Sequence, residues 1–296
     1  MTPSLATPPV PALRQRQPLR LGLLPGESTD TVRQQHEGLR LRCQQALGWP
    51  VELVVGTSYA ATGDALRRQQ VDAAYLGPVS YIVQRRGQPL EPFARPTHPG
   101  AVGPTFQAVI VVPTESPVTE LAQLRGQEIA LGDSASTSGH WVPRYQLLGA
   151  GLVADRDYTR LPLGAHDAVA QAVADYRAAA GGMSLAVLQR LLAQGRIEAQ
   201  RVRILAVSNP IPEYMWTFRA GLDANLREDI RATFLTLHDP EVLAAYRASA
   251  FIPAVDSDVD RVRTWMESIL QARLRDTPIP WQTNEAAIAW PRGTAP

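Results

Sequence analysis

The chain has 296 residues, 45% of them hydrophobic and 19% charged, enough for two lobes with cores of their own. Its 29 basic and 28 acidic residues leave a formal net charge of +1, too small a field to point to nucleic acid or an anionic membrane surface. Every basic residue is arginine, which excludes a phosphate-loop, Schiff-base or catalytic lysine, and the single cysteine, Cys43, excludes an internal disulfide and a cysteine-rich metal site.

Residues 1–18 are rich in Pro, Thr and Gln and read as a disordered arm without the apolar core of a secretory signal. No run approaches the roughly 20 apolar residues of a membrane span. From Leu19 the pattern is regular. Strands are expected at Leu19–Leu24, Val51–Val55 and Ala73–Leu76. Helices are expected at Thr29–Leu47, Ser58–Arg68 and Val79–Arg86. Phe106–Val112 is a long β-branched strand, Val118–Leu124 a short helix and Glu128–Leu131 a buried strand. A helix at Trp141–Leu148, a strand at Tyr158–Leu161, a helix from Ala168, a small strand at Ala178–Ala180 and a helix at Ser184–Gln194 follow. Val202–Val207 is the last strand expected; the remainder reads as helix (Leu226–Leu237, Pro240–Ala248, Val259–Leu274), with a Pro-rich tail at 275–296 that carries Trp281 and Trp290.

Alternating strand and helix with short links predicts an α/β fold of two lobes, each a mixed sheet flanked by helices. The two long strands serve as crossovers. Residues 19–108 plus 209–274 then form a discontinuous lobe 1, and 109–208 form lobe 2. Ligands of such sheets bind outside the carboxyl ends of the strands, which here means the cleft between lobes.

One stretch carries chemistry: Leu131-Gly132-Asp133-Ser134-Ala135-Ser136-Thr137-Ser138-Gly139-His140. It joins a buried strand to a helix, so Ser136, Thr137 and Ser138 stand where free N–H groups and the positive end of the helix dipole converge. A helix cap needs one hydroxyl; three in succession beside two glycines exceed that need and suit an anion.

Several segments together resemble the phosphonate-, phosphite- and phosphate-binding proteins of ABC transporters, a branch of the type II periplasmic binding proteins. They are Tyr59; Val71 through Tyr81, with Tyr75-Leu76-Gly77-Pro78; Val112-Pro113 through Pro117; the hydroxyl stretch through Pro143; Gly164 through Val169; and Ser208-Asn209-Pro210-Ile211-Pro212. The resemblance implies that Ser136, Thr137 and Ser138 donate to the oxygens of a small phosphorus oxyanion. It further implies that Tyr59 closes over the ligand, that Tyr75 and Tyr81 add contacts and that His166 donates from lobe 2. It implies a membrane permease as partner, a monomer in the periplasm, and neither cofactor, metal nor catalysis. In the same resemblance Ala179 falls on a family aspartate that can pair with an aminoalkyl tail. Its loss favours phosphate, phosphite or methylphosphonate over aminoethylphosphonate.

Two other readings compete. Ser134 with His166 and Asp167 invites a hydrolase, but the nucleophile elbow needs glycine where Ser136 stands. The missing export signal leaves room for a cytoplasmic or regulatory sensor with the same fold. His36, His98 and His238 read as surface or packing residues, whereas His140, next to the hydroxyl cluster, is placed to reach the cleft. Trp216 reads as interlobe packing or as a wall of the cleft.

Overall fold

The computed structural model describes residues 17–276. All but the last two residues of the expected arm, and the tail from 277 on with both its tryptophans, lie outside the described residues.

In lobe 1, β1 (Leu19–Leu23) runs parallel to β2 (Val51–Val55) on one side and β3 (Ala73–Leu76) on the other. They are linked by α1 (Thr29–Leu47) and α2 (Tyr59–Arg67), and α3 (Pro78–Arg85) follows β3. The Ser28 hydroxyl caps α1 by accepting from Thr31 N–H, and Gly48 ends it in the left-handed region. Pro78 occupies the first turn of α3, where its missing N–H costs nothing.

Three strands absent from the sequence reading complete the sheet: β4 (Glu91–Thr97), β12 (Met215–Phe218) and β13 (Ala250–Ile252), in the order β13-β4-β12-β3-β1-β2. The region after the second crossover is therefore not wholly helical. β4 holds Pro92 and Pro96, residues that ordinarily argue against an interior strand. A register irregularity at Trp216/Thr217 accompanies the pairing of β12 with Pro92. Val32, Leu39 and Cys43 of α1 pack on one face of this sheet with Ile230 and Phe234 of α7 (Ala224–Leu235) and with α8 (Pro240–Ala245). Leu66, Val79 and Ile82 pack on the other face with Val262 and Met266 of α9 (Asp260–Asp276). The Cys43 thiol is fully buried, which pushes its pKa up to about 12.

Lobe 2 is a five-stranded sheet, β10-β6-β9-β7-β8, made of β6 (Ala108–Pro113), β7 (Glu128–Gly132), β8 (Thr159–Gly164), β9 (Ala180–Ser184) and β10 (Val202–Val207). β7, β8 and β9 are parallel, and β6 is antiparallel to β9 and β10. α5 (His166–Ala174) and α6 (Leu185–Ala193) cover one face, and α4 (Val142–Gly149) lies on the other.

The long strands expected as crossovers are thus mostly ladder strands inside lobe 2. The chain passes between lobes on two shorter ones, β5 (Thr105–Phe106) and β11 (Ile211–Pro212), paired antiparallel. A third tie is α9, whose Trp265 stacks on Tyr145 of α4 with ring centroids 5.3 Å apart. In lobe 2 the parallel strands end at Gly132, Gly164 and Ser184. In lobe 1, Leu23, Leu24 and Tyr75 at the carboxyl ends line the same interlobe cavity as Ser184. The layout is the two-lobe, type II periplasmic-binding-protein fold.

Candidate functional site in the interlobe cleft

β7 ends at Gly132, where a Cβ would lie 3.3 Å from the Gly164 carbonyl and 3.4 Å from Gly139 Cα. Glycine therefore lets the β8 turn and the following helix crowd the strand end. The carboxylate of Asp133 accepts from Ala135 N–H at 2.8 Å and turns the chain. The helix then opens with a wide turn, Thr137–Trp141: Trp141 N–H donates to Ser136 O and Val142 N–H to Thr137 O, each spanning five residues. Such turns are frequent at functional sites.

Ser136, Thr137 and Ser138 are all fully buried, but their hydroxyls do different things. Ser136 Oγ accepts from Gly139 N–H at 3.1 Å and is the cap. Thr137 Oγ1 accepts from Val79 N–H of lobe 1 at 3.0 Å. Ser138 Oγ has no hydrogen-bond partner, although the Tyr214 hydroxyl neighbours it.

Tyr59 of α2 and His166 of α5 converge on the same place. A Cβ on Gly26 would sit 3.1 Å from Tyr59 Oη and 3.7 Å from His166 Cδ2, and one on Gly139 would sit 2.9 Å from both His166 Cε1 and Ser136 Oγ. Both glycines are therefore needed for the close approach. Burial pushes the Tyr59 phenol up to about 12; the neighbouring Ser136 hydroxyl counters it and the Asp133 carboxylate adds to it. Tyr214 is raised well above its ordinary value, chiefly by burial. Burial lowers His166 to about 4 against the opposing pull of Asp167, and its Nδ1 has no partner. At neutral pH the cluster is a set of uncharged hydroxyl and imidazole groups around a helix start. A dianion needs hydrogen-bond donors there, and these groups supply them without any arginine.

The lobes touch around this cluster. Tyr59 N–H donates to Asp133 Oδ2 at 3.2 Å, Ser80 Oγ to Ala135 O at 3.0 Å and His166 N–H to Gly26 O at 3.0 Å. Glu27 of lobe 1 pairs with Arg190 of α6. Tyr59 and His166 line a cavity of about 660 Å³ between the lobes.

Of the residues named from the sequence, Tyr59, Ser136, Thr137, Ser138 and His166 are brought together. Tyr75 lines the same cavity and stacks on Trp216, which is buried behind it in lobe 1 rather than walling the cleft itself. Tyr81 does not reach the site: its ring is buried in the core with residues of α9, and its hydroxyl donates to the exposed Asp256 at 2.6 Å. His140 is buried inside lobe 2 between the Gly132 carbonyl and Arg144. Ala179 precedes β9, its N–H on Glu128 O at the amino end of β7. That end is opposite the cleft, so the residue says nothing about a ligand's tail. Ser134, His166 and Asp167 form no triad; Asp167 binds Arg196 at 3.0 Å and the Ala168 N–H at 2.9 Å. Among the described residues no cluster of His, Cys, Asp or Glu is placed to hold a metal.

Tyr214 escaped the sequence reading, although it directly follows the Pro212-Glu213 end of the second crossover. His36, expected as a surface or packing residue, packs edge-on against Tyr75, Trp216 and Tyr246 and also lines the cavity from α1.

The family described as the periplasmic substrate-binding protein of phosphonate ABC transporters matches residues 21–259. The "Phosphate-import protein PhnD" of Mycolicibacterium smegmatis is 22% identical over 270 residues, 83% of this chain and 84% of that one. A binding-protein component of an ABC phosphonate transporter from Pseudomonas aeruginosa superposes with a TM-score of 0.81 at 20% identity, covering 92% of each chain. PhnD1 from Prochlorococcus marinus, solved with methylphosphonate, gives 0.78 at 18% identity over 86% of this chain and 98% of its own. The chain belongs to the periplasmic substrate-binding proteins of phosphonate ABC transporters.

Proposed function

We propose that this protein captures a phosphonyl or phosphoryl group between its lobes and presents the closed complex to a membrane permease. Ser138, Ser136 and Thr137 with the N–H groups of their turn hold the head from lobe 2, His166 donates beside them, and Tyr59 and Tyr214 close over it. The observation that carries the reading is the pair of buried, unpartnered polar atoms, Ser138 Oγ and His166 Nδ1. Such atoms cost about 1–3 kcal/mol each unless something pairs with them. A bound oxyanion supplies acceptors where hydroxyls stand ready to donate. Charge-assisted hydrogen bonds contribute about 1.5–3 kcal/mol each, and micromolar binding needs about −8 kcal/mol, so a handful suffices after desolvation losses.

The protein acts as a monomer outside the cytoplasmic membrane, a location that the periplasmic family favours; no helix among the described residues is long and apolar enough to cross a membrane. Cell fractionation checks the location. A thermal-shift panel of phosphate, phosphite, methylphosphonate, aminoethylphosphonate and sulfate tests the binding. At 100 times the dissociation constant a ligand adds about 2.7 kcal/mol, a visible shift. The phosphorus oxyanions should raise the midpoint more than sulfate does, and an unmoved midpoint throughout would remove the reading.

A further inference from the structure

The cavity that begins at Tyr59 and His166 is much larger than a phosphonyl head requires. Its 660 Å³ falls among pockets that take drug-sized molecules. A head carrying only a methyl or an aminoethyl group would leave most of it unfilled. Its lobe 1 wall is aromatic: Tyr75 has Tyr214 at 5.3 Å and Tyr246 at 5.7 Å between ring centroids, and Trp216 backs it at 5.1 Å. The facing wall is mixed, with Leu185, Ala186 and Val187 beside the polar Ser184, Gln189 and Arg190.

Three residues lining this space hold buried polar atoms without a protein partner: Glu27 Oε1, His36 Nε2 and Tyr246 Oη. Their chemistry is specific. His36 Nδ1 lies 2.8 Å from the Val32 carbonyl, which can only accept, so Nδ1 carries the proton and Nε2 presents a lone pair. Glu27 gives its other oxygen to Arg190. Both free atoms are therefore acceptors, and what they lack is donors. An aromatic wall next to buried acceptors suits a ring that carries hydroxyl or amino groups.

We infer that the ligand is a phosphonate or phosphate monoester bearing a ring-sized tail, whose hydroxyl or amino groups donate to Glu27 Oε1 and His36 Nε2 while the ring lies along Tyr75 and Tyr214. This rests on the proposed function, that the head binds in the hydroxyl cluster.

The test is calorimetric titration with methylphosphonate, ribose 5-phosphate and adenosine 5′-monophosphate, with adenosine as the control lacking a head. At least one tailed phosphate should bind ten times more tightly than methylphosphonate, and adenosine should bind far more weakly than its monophosphate. In Glu27→Gln and in His36→Phe, each of which alters one of the two acceptors, the ratio of tailed to methyl affinity should fall toward one. Methylphosphonate binding as tightly as both tailed ligands would overturn the inference and leave the head reading standing. A ratio unchanged in both variants would overturn it as well. No binding by any phosphorus compound, or adenosine matching its monophosphate, would overturn the head reading and the inference with it.

Discussion

Ser136, Thr137 and Ser138 are adjacent, equally buried and chemically alike, yet the fold leaves each a different task. Ser136 caps the helix, so Ser136→Ala should cost about 1 kcal/mol of stability. Ser138 Oγ has only the Tyr214 hydroxyl beside it, so Ser138→Ala should lower the unliganded melting midpoint less than Ser136→Ala does. The same substitution should weaken phosphonate binding roughly ten- to a hundredfold, the equivalent of one charge-assisted bond. Calorimetry and thermal melts on the two variants check the contrast; equal destabilisation by both would contradict it. His166 makes a second prediction. Burial lowers it to about 4, and it lowers His36 to about 4 as well. Between about pH 6.5 and 4 the unfolded chain binds protons that the folded chain refuses, so stability is full above 6.5 and drains as pH falls toward 4. His98 opposes this, its pKa raised mainly by its hydrogen bond to Glu213. Replacing His166 by Asn should flatten part of the decline in melting midpoint from pH 7 to 4.5, and a decline as steep as in the parent protein would show that His166 is not the titrating group. These tasks were only partly legible in the sequence. The Ser-Thr-Ser run announces a helix start suited to anions, but which hydroxyl is spent on a cap and which on the other lobe depends on where Gly139 and Val79 stand in space.

The elements around the cleft are set by short-range patterns that the sequence displays openly. Apolar runs ending in Gly or Pro-Gly, followed by helical periodicity, located β1 to β3, β7, α1 to α6 and the turns between them. β4 was hidden by Pro92 and Pro96, and β12 and β13 were too short to show alternation against their helical surroundings. These three strands owe their state to pairing with distant partners, as Trp216 pairs with Tyr75 and with Ala94. The β3–α3 turn shows how an element position becomes a constraint on function. A Cβ at Gly77 would lie 2.9 Å from Tyr214 Cζ and 3.2 Å from Thr137 Oγ1. Gly77→Ala should therefore push Tyr214 and the Thr137 contact apart and weaken phosphonate binding at least tenfold. Its circular dichroism should match that of the parent. Undiminished affinity in that variant would mean that the contact between these turns is unimportant to capture.

At the scale of the whole molecule, the site exists only because two lobes meet. Its polar groups come from α2 and the second crossover in lobe 1 and from the β7 and β8 turns in lobe 2. The hydrogen bonds from Tyr59 N–H to the Asp133 carboxylate, from Val79 N–H to Thr137 Oγ1 and from His166 N–H to Gly26 O hold those elements face to face. None of these contacts joins neighbours in sequence, which is why the two-lobe plan could be read from element order while the membership of the site could not. Tyr214 belongs to it because β11 returns the chain to lobe 1 at the cleft. Tyr81 is excluded because α3 turns it toward Asp256 and α9. The central claim is that this closed cluster of uncharged donors traps a phosphonyl head. Calorimetric titration of the full chain with methylphosphonate tests it most directly. Saturable one-to-one binding is expected, with a dissociation constant of ~1 µM or tighter, equivalent to about −8 kcal/mol; the absence of saturable binding up to millimolar ligand would contradict capture at this site.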